Sequence, residues 1–224
     1  MKLTVEQILQ RHKIAQNRKE DFRALYEDAM EFALPQRNLY SGDYENKVGG
    51  RQKMSRVFDS TAINSTQRFA NRLQSGIFPP QRKWCRLEPG SDIPADRRTE
   101  AQSVLDLYNE KMFAVLKQSN FDIAMGEFLL DLSVGTAIML VQPGDAVSPI
   151  NFIPVPQYLV SFEEGANGQV DNVYRRMRVK GESIQMQWKD ADIPAELAKQ
   201  IEDKPTEDVD LIEATVYDYT RGDY

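Results

Sequence analysis

The sequence is poor in the residues that carry most covalent chemistry. It holds one cysteine, Cys85, and one histidine, His12, in 224 residues. A single cysteine excludes an intramolecular disulfide and any multi-cysteine zinc site, and makes a reducing compartment the default. A single histidine excludes a His–His metal pair and a His–His acid/base pair. A hydrolase needs a nucleophile beside its base, and no signature of one surrounds Cys85 or His12. His12 lies near an apolar helical stripe and reads as an amphipathic-helix residue rather than a ligand. Long apolar runs are also missing. The longest, Phe128 to Val141, is interrupted by Asp131 and falls short of the roughly 20 residues of a membrane-spanning helix. Glu6 precedes any sizeable apolar run, which excludes a secretory signal. Gly49-Gly50 with Arg51 and Lys53 lacks both the GxxxxGK[ST] spacing and a preceding apolar strand, so it is no phosphate-binding loop. No catalytic, cofactor-binding or metal-ligating residue is therefore assigned. No cofactor, no membrane partner and no enzymatic activity are expected.

What is present is ordinary for a globular chain: 41% hydrophobic and 28% charged residues, enough length for one good core or two small ones. The net charge of −6 argues against a surface that coats nucleic acid throughout. Its distribution is uneven. Between Arg37 and Arg86 lie Lys47, Arg51, Lys53, Arg56, Arg68, Arg72, Arg82 and Lys83, opposed only by Asp43, Glu45 and Asp59. From Asp190 to Glu213 the balance reverses, with nine carboxylates. Such a pattern fits two solvated surfaces, complementary faces of neighbouring subunits, or a path for a polyanion.

Periodicity places the elements. Thr4 followed by Gln7 is a capping box, and Ile8, Ala15, Phe22, Leu25, Tyr26, Ala29 and Phe32 trace one helical face to Leu34, where Pro35 ends it. Pro35 to Lys53 has no periodic pattern and reads as a long, mobile loop. Asp59 or Ser60 caps a second helix, whose stripe is Ile63, Thr66, Ala70, Leu73 and Ile77, widened by Phe69. Pro79-Pro80 stop it. Trp84 to Leu87 reads as a short strand. Ala101, Val104, Leu105, Tyr108, Met112 and Val115 line a third helix. Asn120 caps a fourth, with Phe121, Ala124, Met125, Phe128 and Leu132 buried and Asp122, Glu127 and Asp131 on the outer face. From Gly135 the pattern turns to strands: Thr136–Val141, Ile150–Ile153, Tyr158–Phe162, Val170–Val179 and Val209–Tyr219. Gly165–Gly168 makes a hairpin connection, and a short helix runs from Ile193 through Ile201. The last strand meets a turn with no returning strand, which reads as a chain cut inside a sheet.

The succession FDSTA, then a helix ending RLQSGIFPP, then KWCRLEP, resembles the head-to-tail connector (portal) family of short-tailed bacteriophages. YEDAMEFALPQRN upstream and SNFDIAMGEFLLDLSVGTAIMLV downstream carry the same resemblance. It implies the N-terminal part of a portal subunit, its wing region. That region is α+β, with long N-terminal helices flanking a small, mostly antiparallel sheet. Residues 1–134 would be mainly helical and 135–224 β-rich, with stem and clip placed after Tyr224. It also implies a structural virion protein. The subunit would join a homo-oligomeric ring, usually a dodecamer, assembled in the host cytoplasm and set at one capsid vertex. Double-stranded DNA would pass through its channel in packaging and ejection. Terminase, capsid and scaffolding proteins, and tail adaptor proteins would be its partners. The alternative is a nucleic-acid-binding module built on the basic residues from Arg51 to Arg86, with Phe58, Phe69, Phe78 and Trp84 among them.

Overall fold

The computed structural model describes residues 3–35, 57–165 and 168–217. The expected loop lies outside them except for Pro35, and so do the last residues of the expected final strand. The chain is α+β, as expected, with seven α-helices and two small antiparallel sheets among the described residues. It forms two compact units: Met1–Phe22 with Tyr158–Tyr224, and Arg23–Gln157.

In the first unit, α1 (Val5–Glu20) starts at the capping box the sequence announces. Thr4 Oγ1 accepts the Gln7 N–H at 3.3 Å and Gln7 Oε1 accepts the Thr4 N–H at 2.9 Å. The long first helix expected to reach Leu34 is instead two helices. Asp21 and Phe22 form a turn in which the Phe22 N–H bonds back to Lys19 O, and α2 (Arg23–Ala33) begins the other unit. The apolar stripe changes partner at this point. Phe22 is 57% exposed and Leu25 66% exposed, whereas His12 and Ala15 on α1, and Met30 and Leu34, are buried.

Strands β3 (Val160–Glu164), β4 (Val170–Lys180) and β5 (Asp208–Val216), numbered after the β1–β2 pair of the second unit, form an antiparallel sheet in that order. A register shift falls at Glu163/Glu164. Gly168 takes φ +70° in the β3–β4 connection, a conformation that costs glycine nothing and strains other residues. α1 packs on β3. Between β4 and β5 lie two further helices, Gly181–Gln187, which packs on β4, and Ala195–Asp203. The first was not signalled, since its leading glycine is a poor helix former. The second answers to the helix expected from Ile193.

In the second unit, α2 is followed by α3 (Thr61–Ile77), α4 (Arg98–Gln118) and α5 (Phe121–Leu132), which makes the two sheet-unit helices α6 and α7. β1 (Ile138–Pro143) and β2 (Ile150–Val155) form a hairpin. Gly144 is required in its turn, because a Cβ there would lie 1.8 Å from Ser148 O. α5 packs on α3 and on β2. The core is aromatic. Phe121 meets Phe78, Trp84 and Phe152 at centroid distances of 5.7, 5.9 and 5.1 Å, and Trp84 meets Phe113 at 5.6 Å. Most are edge-to-face; Trp84 and Phe121 are stacked at 15°. Each such pair contributes about 0.5–1.5 kcal/mol beyond area burial.

Four local expectations are corrected. Trp84–Leu87 is no strand: it runs extended along α4, which supplies side chains and not a ladder. Asn109 Oδ1 accepts the Leu87 N–H at 3.0 Å, and Gln102 Nε2 donates to Leu87 O at 3.3 Å. Asn120 sits at the N-cap of α5 but its side chain makes no cap bond. It grips Phe152 of β2 instead, donating to its carbonyl at 2.7 Å and accepting its N–H at 2.9 Å. Asp131 is buried, at 4% exposure, and Leu132 exposed at 43%. The chain folds back there, with the N–H groups of Val134 and Gly135 bonded to Asp131 O. On α4, Val104 and Tyr108 are 50% and 56% exposed, while Asn109 and Phe113 are buried.

Candidate interaction surfaces

The basic segment has two parts with different fates. Lys83 and Arg86 are neutralised by α4. Lys83 pairs with Glu110, and Arg86 makes a bidentate pair with Asp106 at 3.0–3.2 Å. Gln102 first and Arg86 next, both bonded to Asp106, hold that carboxyl below its usual range. Arg68 and Arg72, one turn apart on α3, are exposed and have no ion-pair partner among the described residues, and Arg82 is the same. α3 carries no acidic residue at all. Its packed side is Thr66 and Ala70, flanked by half-buried Ile63 and Leu73; the arginines lie opposite. The remaining cations of the basic stretch, Arg37 to Arg56, lie outside the described residues.

The aromatic residues of the stretch also divide. Phe78 is half-buried against the core, and Trp84 lies 5.0 Å from it with 36% of its surface exposed. Phe69, expected on the packed stripe, is 45% exposed, and Phe58 is 94% exposed. An apolar stripe on α4, around Val104, Leu107 and Tyr108, is likewise uncovered, with each residue at least 50% exposed. Leu25, Ala29, Phe32 and Val134 line an open groove of about 440 Å³. The carboxylates of α7 and its flanks, Asp190, Asp192, Glu196, Glu202 and Asp203, are exposed.

The shifted groups of the sheet unit, Arg11, His12, Lys19, Glu163 and Tyr174, take part in its packing. Arg11 donates to both oxygens of Glu163 at 3.0–3.1 Å. Glu163 also accepts from Asn172 Nδ2 at 2.9 Å and from the Tyr174 hydroxyl at 3.1 Å. Burial raises the Glu163 pKa, but the bonds from Arg11, Asn172 and Tyr174 outweigh it and leave the carboxyl below its usual range. Burial, with the Glu163 bond, pushes Tyr174 up to about 12. His12 Nδ1 lies 3.2 Å from Ser161 Oγ, and burial, then Arg176 and Lys19, lowers its pKa. His12 thus lies on the buried side of α1, against the sheet. Lys19 donates to Tyr158 O, and burial brings it down to about 8. Among the described residues no group of three His, Cys, Asp or Glu side chains could hold a metal ion, and no helix is long and apolar enough to cross a membrane.

What the two units present outward is thus charge and apolar surface. The sequence pattern that defines the family described as bacteriophage head to tail connecting protein matches residues 5–223. The chain belongs to this connector family. Comparison with curated proteins returns no match. The connectors are structural phage proteins that join head to tail, so this connector is a virion component that meets capsid and tail parts. Sequence reasoning located the arginines of α3. It missed that Lys83 and Arg86 are already paired, because Asp106 and Glu110 lie at least 20 positions away along the chain.

Proposed function

We propose that the chain is a subunit of the portal ring at one capsid vertex. DNA is packaged and ejected through the ring's channel, terminase docks on it during assembly, and tail adaptors dock afterwards. The chain supplies the wing region, and scaffolding and capsid proteins meet its outer surface. The ring is a dodecamer, assembled in the host cytoplasm and then built into the virion. Family membership across residues 5–223 carries this reading. The exposed apolar stripe of α4 and the charges of α3 and α7 that have no ion-pair partner among the described residues support it, since a subunit in a closed ring covers such faces with neighbours. Electron microscopy of the assembled connector tests it. The expected result is a ring with a central hole; a stable monomer across protein concentrations overturns it.

The second reading is a nucleic-acid-binding module. Arg68, Arg72 and Arg82, exposed and without an ion-pair partner among the described residues, favour it. Against it, Lys83 and Arg86 are neutralised, and Phe78 and Trp84 are engaged edge-to-face with each other beside the core. Backbone binding by this face predicts a steep loss of affinity with salt.

A further inference from the structure

Two unpaired surfaces of opposite charge stand on different helices. On α3, Arg68 and Arg72 are spaced i, i+4 and project from the same side. Its neighbours there are Asn64, Ser65, Ser75 and the exposed ring of Phe69, and no carboxylate stands anywhere on the helix. On α7, Glu202 and Asp203 occupy the last turn, which contains no basic residue. That is the unfavourable end for carboxylates, because unsatisfied carbonyls already make a helix C-terminus negative. The neighbouring Lys204 is taken by Glu207. Glu202 and Asp203 are exposed and have no ion pair among the described residues, and neither have Arg68 and Arg72. A cation at this helix end would meet two carboxylates and the free carbonyls together. A guanidinium suits it best, since its planar fork binds a carboxylate with two parallel hydrogen bonds.

Resting on the proposed ring of like subunits, we propose that Arg68 and Arg72 of one copy dock on the carboxylate end of α7, Glu202 and Asp203, of a second copy. The contact is heterologous, one face of each kind per subunit, which is the pairing a cyclic assembly requires. It sets orientation and encounter rate more than affinity. It is therefore salt-sensitive, screened beyond about 10 Å at moderate ionic strength.

Charge-swap complementation tests it. One variant is Arg68→Glu with Arg72→Glu; the other is Glu202→Lys with Asp203→Lys. All four positions are exposed, and circular dichroism and melting check that both variants fold. Sedimentation at low and high salt measures self-association of the unmodified chain, of each variant, and of an equimolar mixture of the two. The unmodified chain is expected to associate at low salt and dissociate at high salt. Each variant alone should associate at least about tenfold more weakly, since two charge pairs become repulsive. The mixture should recover, because each variant then offers the surface the other needs. Unmodified behaviour in either variant, no recovery in the mixture, or no low-salt association of the unmodified chain overturns the proposal. So does a loss of retention on duplex DNA in the arginine variant with self-association unchanged, which would assign the face to nucleic acid. Micrographs separate the two readings. A ring seen together with indifferent variants leaves the ring standing and removes this contact. Complementation without a ring does the reverse.

Discussion

Asn120 shows how one side chain can do the work of a strand. β2 is paired on one side by β1, and its other edge would leave the Phe152 N–H and C=O without partners. The Asn120 amide supplies both a donor and an acceptor at the spacing of a peptide group, at 2.7 and 2.9 Å. The start of α5 is thereby locked to the hairpin beside the Phe121–Phe152 ring pair. Asn120→Ala strips both partners from a backbone that the rings exclude from water, and should cost about 1–3 kcal/mol. Asn120→Asp keeps the acceptor and loses the donor, so it should fall between the two. Denaturant unfolding of the three proteins measures the order; an alanine variant as stable as the parent would show that water replaces the amide. A cap residue was legible at this position, but its use was not. Cap and edge partner need the same side chain, and only β2, more than 30 residues later, decides between them.

At the scale of elements, α4 has two faces with opposite claims on its partners. Its sequence carries a clean apolar stripe through Val104 and Tyr108, yet the monomer buries Asn109 and Phe113. The reason is the extended segment Lys83–Leu87, which lies on α4 and brings hydrogen bonds and ion pairs with it. Phe113→Ala removes a ring packed against Trp84 at 5.6 Å and should cost about 3–5 kcal/mol. Tyr108→Ser, on the uncovered stripe, should change stability by only about 0.5 kcal/mol while weakening association if a neighbour covers it. Equal melting temperatures for the two variants would contradict this division of faces. Elements set by local signals were readable: the Thr4–Gln7 box, the α3 boundaries, the strands after Gly135. The break at Asp21–Phe22 was not, because neither glycine nor proline marks it and the cause is a change of packing partner. Trp84–Leu87 was misread for a related reason: extended backbone can be satisfied by a helix's side chains as well as by a strand. The candidate surface was half readable. The arginines of α3 stand out in sequence, but whether they are free depends on which carboxylates the fold brings near.

At the scale of the whole molecule, each compact unit carries one of the two tryptophans, Trp84 against the rings of Phe113 and Phe121 and Trp188 in the sheet unit. That makes their acid responses separable. His12 is lowered below its ordinary 6.5, so at pH values between its folded and unfolded pKa the unfolded chain binds more protons. Its contribution to stability is complete above 6.5 and is lost as pH falls through that window. Glu163 is lowered below 4.5, so its contribution is present above that value and lost as pH falls through its folded pKa. Both groups belong to the sheet unit, where they hold α1 on β3. In the other unit Asp59, Asp106 and Asp145 are also lowered, through bonds led by the Thr61 N–H, Gln102 and the Ser148 N–H. They lie fully at the surface, and their window opens only below 3.8. Acid should therefore undo the sheet unit first. Fluorescence of Trp188 in a Trp84→Phe variant should shift at a higher pH than that of Trp84 in a Trp188→Phe variant. Adding His12→Gln, which cannot take up a proton, should move the Trp188 transition to lower pH and leave the Trp84 transition where it was. If Trp84 reports first, or if the two signals move together with and without His12, the buried histidine and the Arg11–Glu163 pair do not set the acid limit of this unit.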